Sequence, residues 1–118
     1  MKKNFALLLA AVFLLISLTI LSAQEGFTGP RAGHPLVTVE QAKRMPDDAL
    51  VTLQGYIINS LGDEKYTFRD NTGEIMIEID RRVWRGVSAG ENDKVEISGE
   101  VEHERTRVEI DVKSIRRL

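Results

Sequence analysis

Two seven-residue runs in this chain repeat one pattern: Val51-Thr52-Leu53-Gln54-Gly55-Tyr56-Ile57 and Val95-Glu96-Ile97-Ser98-Gly99-Glu100-Val101. Apolar side chains take every second position, and a glycine stands where the third of them is due. Alternation with a period of two is the mark of a half-buried strand. Glycine inside such a run weakens a flat strand and marks a bulge or a sharp bend. Two strands bent in this way, in so short a chain, favour a sheet that curls on itself.

The rest of the pattern supplies the remaining elements. Thr38 and Gln41 have capping-box spacing, in which each side chain satisfies a free backbone N–H of the other residue. Ala42 and Met45 continue one face of a short helix, and Pro46 stops it. The first strand then runs to about Asn59, with a loop of turn formers at residues 60–64. Lys65–Asp70 reads as strand two, with Tyr66 and Phe68 on the inner face. Asn71-Thr72-Gly73 is a hairpin loop whose glycine is ready for positive φ. Strand three turns Ile75, Ile77 and Ile79 inward. A connector with Trp84 in a helical turn leads to the second glycine run, and Arg107–Ile115 is strand five.

A connection at residues 103–106 sets the last pairing. It places Val101 opposite Val108 and Ile97 opposite Val112, with Glu102 facing Arg107, Glu96 facing Lys113 and Glu100 facing Glu109. Five strands bent by internal glycines close most naturally as a small five-stranded barrel of OB type, mainly β, with a short N-terminal helix and a helical connector between strands three and four. A two-layer sandwich has too few strands to form well.

The chain opens on an address. Lys2 and Lys3 precede an uncharged run from Phe5 to Leu21, followed by Ser22-Ala23-Gln24. That is the order of a secretory signal peptide, with cleavage expected after Ala23 and a periplasmic destination. A retained anchor is the rival reading, since the run is near the lower length limit for a membrane span. Gln24 stands where a lipoprotein would need its acylated cysteine, so a lipid anchor is not expected. Cleavage removes 23 of 118 residues, Lys2 and Lys3 among them, and leaves 95 with 14 basic and 18 acidic side chains, a net of −4. Such a balance argues against nucleic acid and anionic membranes as partners. Residues 24–36, with Gly26, Gly29, Pro30, Gly33 and Pro35, read as a flexible linker to a single domain over 37–118. There is no cysteine, which excludes disulfides, thiol chemistry and cysteine-ligated metals.

With this order in place, the chain resembles the bacterial OB-fold family, the small exported proteins of the YgiW/YdeI-like group. The likeness is carried by the leader, Gly26-Phe27-Thr28-Gly29-Pro30, Thr38-Val39-Glu40-Gln41-Ala42-Lys43 and Asp47-Asp48. It continues through the first glycine run, Tyr66-Thr67-Phe68-Arg69-Asp70, Ile79-Asp80, Trp84-Arg85-Gly86-Val87, the second glycine run and Val108-Glu109-Ile110-Asp111-Val112. The resemblance implies a non-enzymatic periplasmic OB-fold protein linked to tolerance of envelope stress. It brings no catalytic or ligand residues with it.

In the OB architecture oligonucleotides and oligosaccharides lie across the outside of strands two and three, between the loops joining strands one to two and four to five. Here that face offers Tyr56, Lys65, Thr67, Arg69, Met76 and Glu78, a candidate surface for weak binding of an envelope protein, small molecule or glycan. Single-strand binding wants aromatic platforms in a positive groove, and only Tyr56 qualifies. A merely solvated sheet face accounts for the same residues. Trp84 could stack on a ligand, but a lone tryptophan beside isoleucine strands serves as well to plug one barrel end. Glu100, Glu102, Glu104 and Glu109 could share an outer face and offer oxygens to a hard cation, with Glu100, Glu102 and Glu109 the alternative metal set; ordinary exposed acids are the simpler account. His34 and His103 have no second imidazole with which to share zinc. No cysteine nucleophile or Gly-x-Ser-x-Gly elbow is present, and neither histidine has a framework for a triad. No enzymatic activity, no cofactor and a monomer are expected.

Overall fold

The computed structural model describes residues 33–118, so the leader and most of the expected linker lie outside the described residues. Two short helices, α1 (Val39–Ala42) and α2 (Arg81–Trp84), accompany five strands: β1 (Leu50–Gly62), β2 (Lys65–Asp70), β3 (Gly73–Glu78), β4 (Val95–Glu104) and β5 (Arg107–Arg117). The strands close into a barrel in the order β1-β2-β3-β5-β4. All neighbours are antiparallel except β3 and β5, whose parallel ladder is three residues long and completes the ring.

Alternation delivers the core. Leu53, Phe68, Ile77, Ile79, Ile97 and Ile110 are fully buried, and each such side chain contributes about 1.5–3 kcal/mol relative to exposure. Trp84 packs half-buried against this cluster, edge-on to Tyr66 with ring centroids 5.7 Å apart. The two glycines do the bending. β1 pairs with β4 up to Gly55 and with β2 from Tyr56 onward. A Cβ at Gly55 would run into the backbone carbonyl of Arg69 and stand 2.9 Å from the Phe68 ring. Gly99 sits at the β4–β5 register shift, where a Cβ would overlap the carbonyl of Asp111.

The capping box forms as its spacing implies: Gln41 N–H donates to the Thr38 hydroxyl and Thr38 N–H to the Gln41 side chain. Asp70 ties the helix to the β2–β3 turn, accepting from the backbone N–H groups of Val39, Thr72 and Gly73 and from the Thr72 hydroxyl. Gly73 is not left-handed; the turn is Asn71-Thr72 and the Asp70 carboxylate holds it. The chain preceding α1 is also tied down. Thr52 N–H donates to Pro35, its carbonyl accepts from Val37, and its hydroxyl reaches His34. Residues of the expected linker thus cover the β1 edge, the kind of exposed edge that invites unwanted strand pairing.

Two expectations need correction. β1 continues past Asn59 to Gly62 through two register shifts, so the expected loop at 60–64 shrinks to a turn at Asp63-Glu64, both left-handed. The β4–β5 turn is Arg105-Thr106 alone, because His103 and Glu104 stay in the strand; His103 N–H donates to Asp47, and its ring Nε2 bonds the Met45 carbonyl. Val101 therefore faces Ile110 and Ile97 faces Ile115. The shift is two residues from Gly99 to Glu104 and three from Val95 to Ser98, where the bulge between Ser98 and Gly99 absorbs the extra residue, so inward side chains stay inward. Outward partners change. Glu102 faces Glu109 rather than Arg107, Glu96 faces Arg116 rather than Lys113, and Glu100 faces Asp111 rather than Glu109.

Candidate functional site

Closing β3 onto β5 joins what the strand pattern separates. Lys65 lies opposite Glu78 on β3, Glu78 opposite Asp111 on β5, and Asp111 opposite Glu100 on β4. One row along, Thr67 meets Met76, Met76 meets Glu109, and Glu109 meets Glu102. The candidate ligand face and the candidate acidic face are one continuous outer surface.

Its centre is Glu109. Although outward-pointing, its side chain is only 1% exposed. A buried carboxylate must be paired and hydrogen-bonded to be tolerated, and this one is. Lys65 Nζ donates to both oxygens at 3.0–3.1 Å, and Arg107 Nε lies 2.8 Å from Oε1. Lys65 also lies 4.0 Å from Glu78. The hydrogen bond to Glu109, with the nearby acids, raises the Lys65 pKa above its ordinary value against the opposing pull of burial. Oxygens of Glu78, Glu102 and Glu109 lie within 4.8 Å of one another. Glu102 enters no ion pair among the described residues; burial first, then the fields of Asp111, Glu78, Glu104 and Glu109, push its pKa up. Lys113 binds Asp111 at 2.7 Å. Glu100 stays outside the central cluster and Glu78 takes the place expected for it.

Lys65 and Glu78 are thus committed to an internal network. Tyr56 and Thr67, both half-buried, and the exposed Arg69 are not: Tyr56 pairs in register with Arg69, and none of the three enters an ion pair or side-chain hydrogen bond among the described residues. Arg107, Asp111 and Lys113 join the surface although none of them was a candidate site residue. Their signal, alternation on β5, places them outward but cannot say that β3 is their neighbour.

A second outer network lies on the opposite wall. Glu96 accepts from Gln54 at 2.8 Å and Arg116 at 2.9 Å; burial acts to raise its pKa, but these two donors outweigh it and hold the carboxyl below its ordinary value. Beside it the Thr52 and Ser98 hydroxyls share a hydrogen bond of 2.8 Å. These groups are saturated and structural.

A family model described as bacterial OB fold (BOF) protein matches residues 18–117. The chain belongs to the bacterial OB-fold family. It is 39% identical to Protein YgiW of Escherichia coli K12 over 127 aligned residues, covering 98% of both chains. It is 34% identical to the Calcium-regulated OB-fold protein CarO of Pseudomonas aeruginosa, covering 98% of this chain and 97% of that one. The solved structure of YgiW from E. coli superposes with a TM-score of 0.70 at 45% identity, over 79% of this chain and 98% of that one. The YgiW structure thus matches this fold over nearly its whole length. Among the described residues no helix is long and apolar enough to cross a membrane.

Proposed function

We propose that this protein is a non-enzymatic periplasmic binding module that serves envelope stress tolerance. It takes a protein, small molecule or glycan weakly on the outer face of β1–β3. The observation that carries this reading is the division of that face: Lys65 and Glu78 are consumed by Glu109 and its neighbours, while Tyr56, Thr67 and Arg69 stay uncommitted beside Met76. Thr67 and Arg69 lie on β2, and Tyr56 lies beside them on β1 opposite Arg69, on the face where OB barrels present their ligands. An aromatic ring, a hydroxyl and a guanidinium suit stacking and hydrogen bonding with a polar partner. The leader read from the first residues supports the compartment, and the lack of a nucleophile–base set supports the non-enzymatic reading. Affinity capture from envelope extracts tests it. Wild-type protein is expected to retain a partner that a Tyr56→Ala/Arg69→Glu variant releases at unchanged melting temperature. Equal recovery by both would move the site off this face.

A second reading is favoured by the meeting of Glu78, Glu102 and Glu109, whose oxygens lie within 4.8 Å of one another. Three carboxylates at that spacing suit a hard divalent cation, and a relative is named for its regulation by calcium. Against it, Lys65 and Arg107 already hold the Glu109 oxygens. Calorimetry with calcium decides between the two: this reading expects heat of binding that Glu102→Gln abolishes, and a blank titration removes it.

A further inference from the structure

The β3–β5 ladder starts at Met76 and Glu109, although β3 begins at Gly73 and β5 at Arg107. Continuing the same offset would set Glu74 and Ile75 beside Arg107 and Val108. The strands part there instead and leave a groove of about 380 Å³. Its floor is apolar, made by the buried Ile75 and the half-buried Met76 and Val108. Lys43, from the turn after α1, stands on the rim with Glu74 and Arg107.

Charge around this groove differs from that of the central network. There every cation is paired: Lys65 and Arg107 with Glu109, Lys113 with Asp111. Beside the groove, Lys43 on its rim enters no ion pair among the described residues; nor does Arg105, which precedes the lining Thr106, nor Arg69, which lies cross-strand from the lining Glu74. All three are exposed. Against the rim acid Glu74 they leave an excess of uncommitted positive charge at and beside the groove, on a chain whose net charge is −2.

We propose that this groove takes an extended acidic segment of a partner protein, laid as an added strand along the parted wall between β3 and β5. In strand addition the main chain supplies affinity and alternate side chains supply specificity. Here apolar side chains of the segment enter the floor of Ile75, Met76 and Val108, and acidic ones meet Lys43, Arg69 and Arg105. The proposal rests on the reading of the outer face as a binding surface and names the class of partner for it.

The test is fluorescence anisotropy of the full chain with a labelled heptapeptide alternating valine and glutamate, against the same peptide with lysine for glutamate. The acidic peptide is expected to bind and the basic one not. Lys43→Glu combined with Arg105→Glu is expected to weaken binding about tenfold or more, as is a rise from about 0.05 to about 0.5 M salt. Both positions are exposed turn residues, and an unchanged melting curve confirms that the variant is folded. Equal binding of the two peptides, no binding of the acidic one, or indifference to the double variant would overturn the proposal. If the acidic peptide fails while the Tyr56→Ala/Arg69→Glu variant still releases an envelope partner, the acidic segment is wrong and the binding face stands. Failure of both removes both.

Discussion

Gly55 and Gly99 are the residues on which the barrel turns, and the reason is contact rather than dihedral freedom. Neither has positive φ; at each, a neighbouring carbonyl occupies the space a Cβ needs. Even alanine is therefore expected to force the strands apart. Gly99→Ala should cost about 3 kcal/mol, lowering Tm by roughly 10–20 °C in a domain of this size. Thermal unfolding checks this, and a variant melting like wild type would mean that β4 and β5 do not approach as described. Glu102 makes a different demand. Its pKa is raised, chiefly by burial, so its charged form is less favourable in the folded state than in the unfolded chain. It therefore contributes stability that is fully present below the unfolded-state value, about 4.3, and lost as pH rises through the folded value. Glu102→Gln is expected to raise Tm at pH 7 and to match wild type near pH 4. A gain of equal size at both would point to packing instead of charge.

Asp70 acts at the scale of elements, since one carboxylate holds the β2–β3 turn and the start of α1. Burial acts to raise its pKa, but hydrogen bonds from Thr72, Val39 and Gly73 prevail and keep it below the ordinary carboxylate value. With that sign, its stabilisation is present above the unfolded-state value, about 3.9, and lost as pH falls through the depressed folded one. Asp70→Asn should cost about 2 kcal/mol at neutral pH and less in acid, read from urea midpoints at two pH values. The capping box of α1 and the inward faces of all five strands were legible from local spacing, because caps and pleats act over two to four residues. The register of the β4–β5 hairpin was not. Residues 103–106 carry no strong turn signature, and the bonds that keep His103 in the strand come from Asp47 and Met45, more than fifty positions away. The inferred faces survived because the shift was even from Gly99 to Glu104 and the bulge at Ser98/Gly99 absorbed the odd residue beyond it.

At the scale of the whole molecule the decisive event is the short parallel contact between β3 and β5. No hairpin announces a parallel pair, and its paired residues, such as Met76 and Glu109, lie 33 positions apart. Tyr56, Lys65, Thr67, Arg69 and Glu78 could thus be placed on one face by alternation, and Glu102 and Glu109 on another. That the two are a single surface, with Lys65 paired to Glu109, appears only after closure. On the proposed function two neighbouring cations do different work: Lys65 stabilises the wall, and Arg69 meets the partner. Photo-crosslinking in intact cells, from a probe installed at Thr67, tests this most directly. An adduct is expected at Thr67 that persists in Lys65→Met to the extent that the variant is folded, and that disappears in Arg69→Glu. An adduct indifferent to Arg69, or none at Thr67 in a folded protein, would contradict the account.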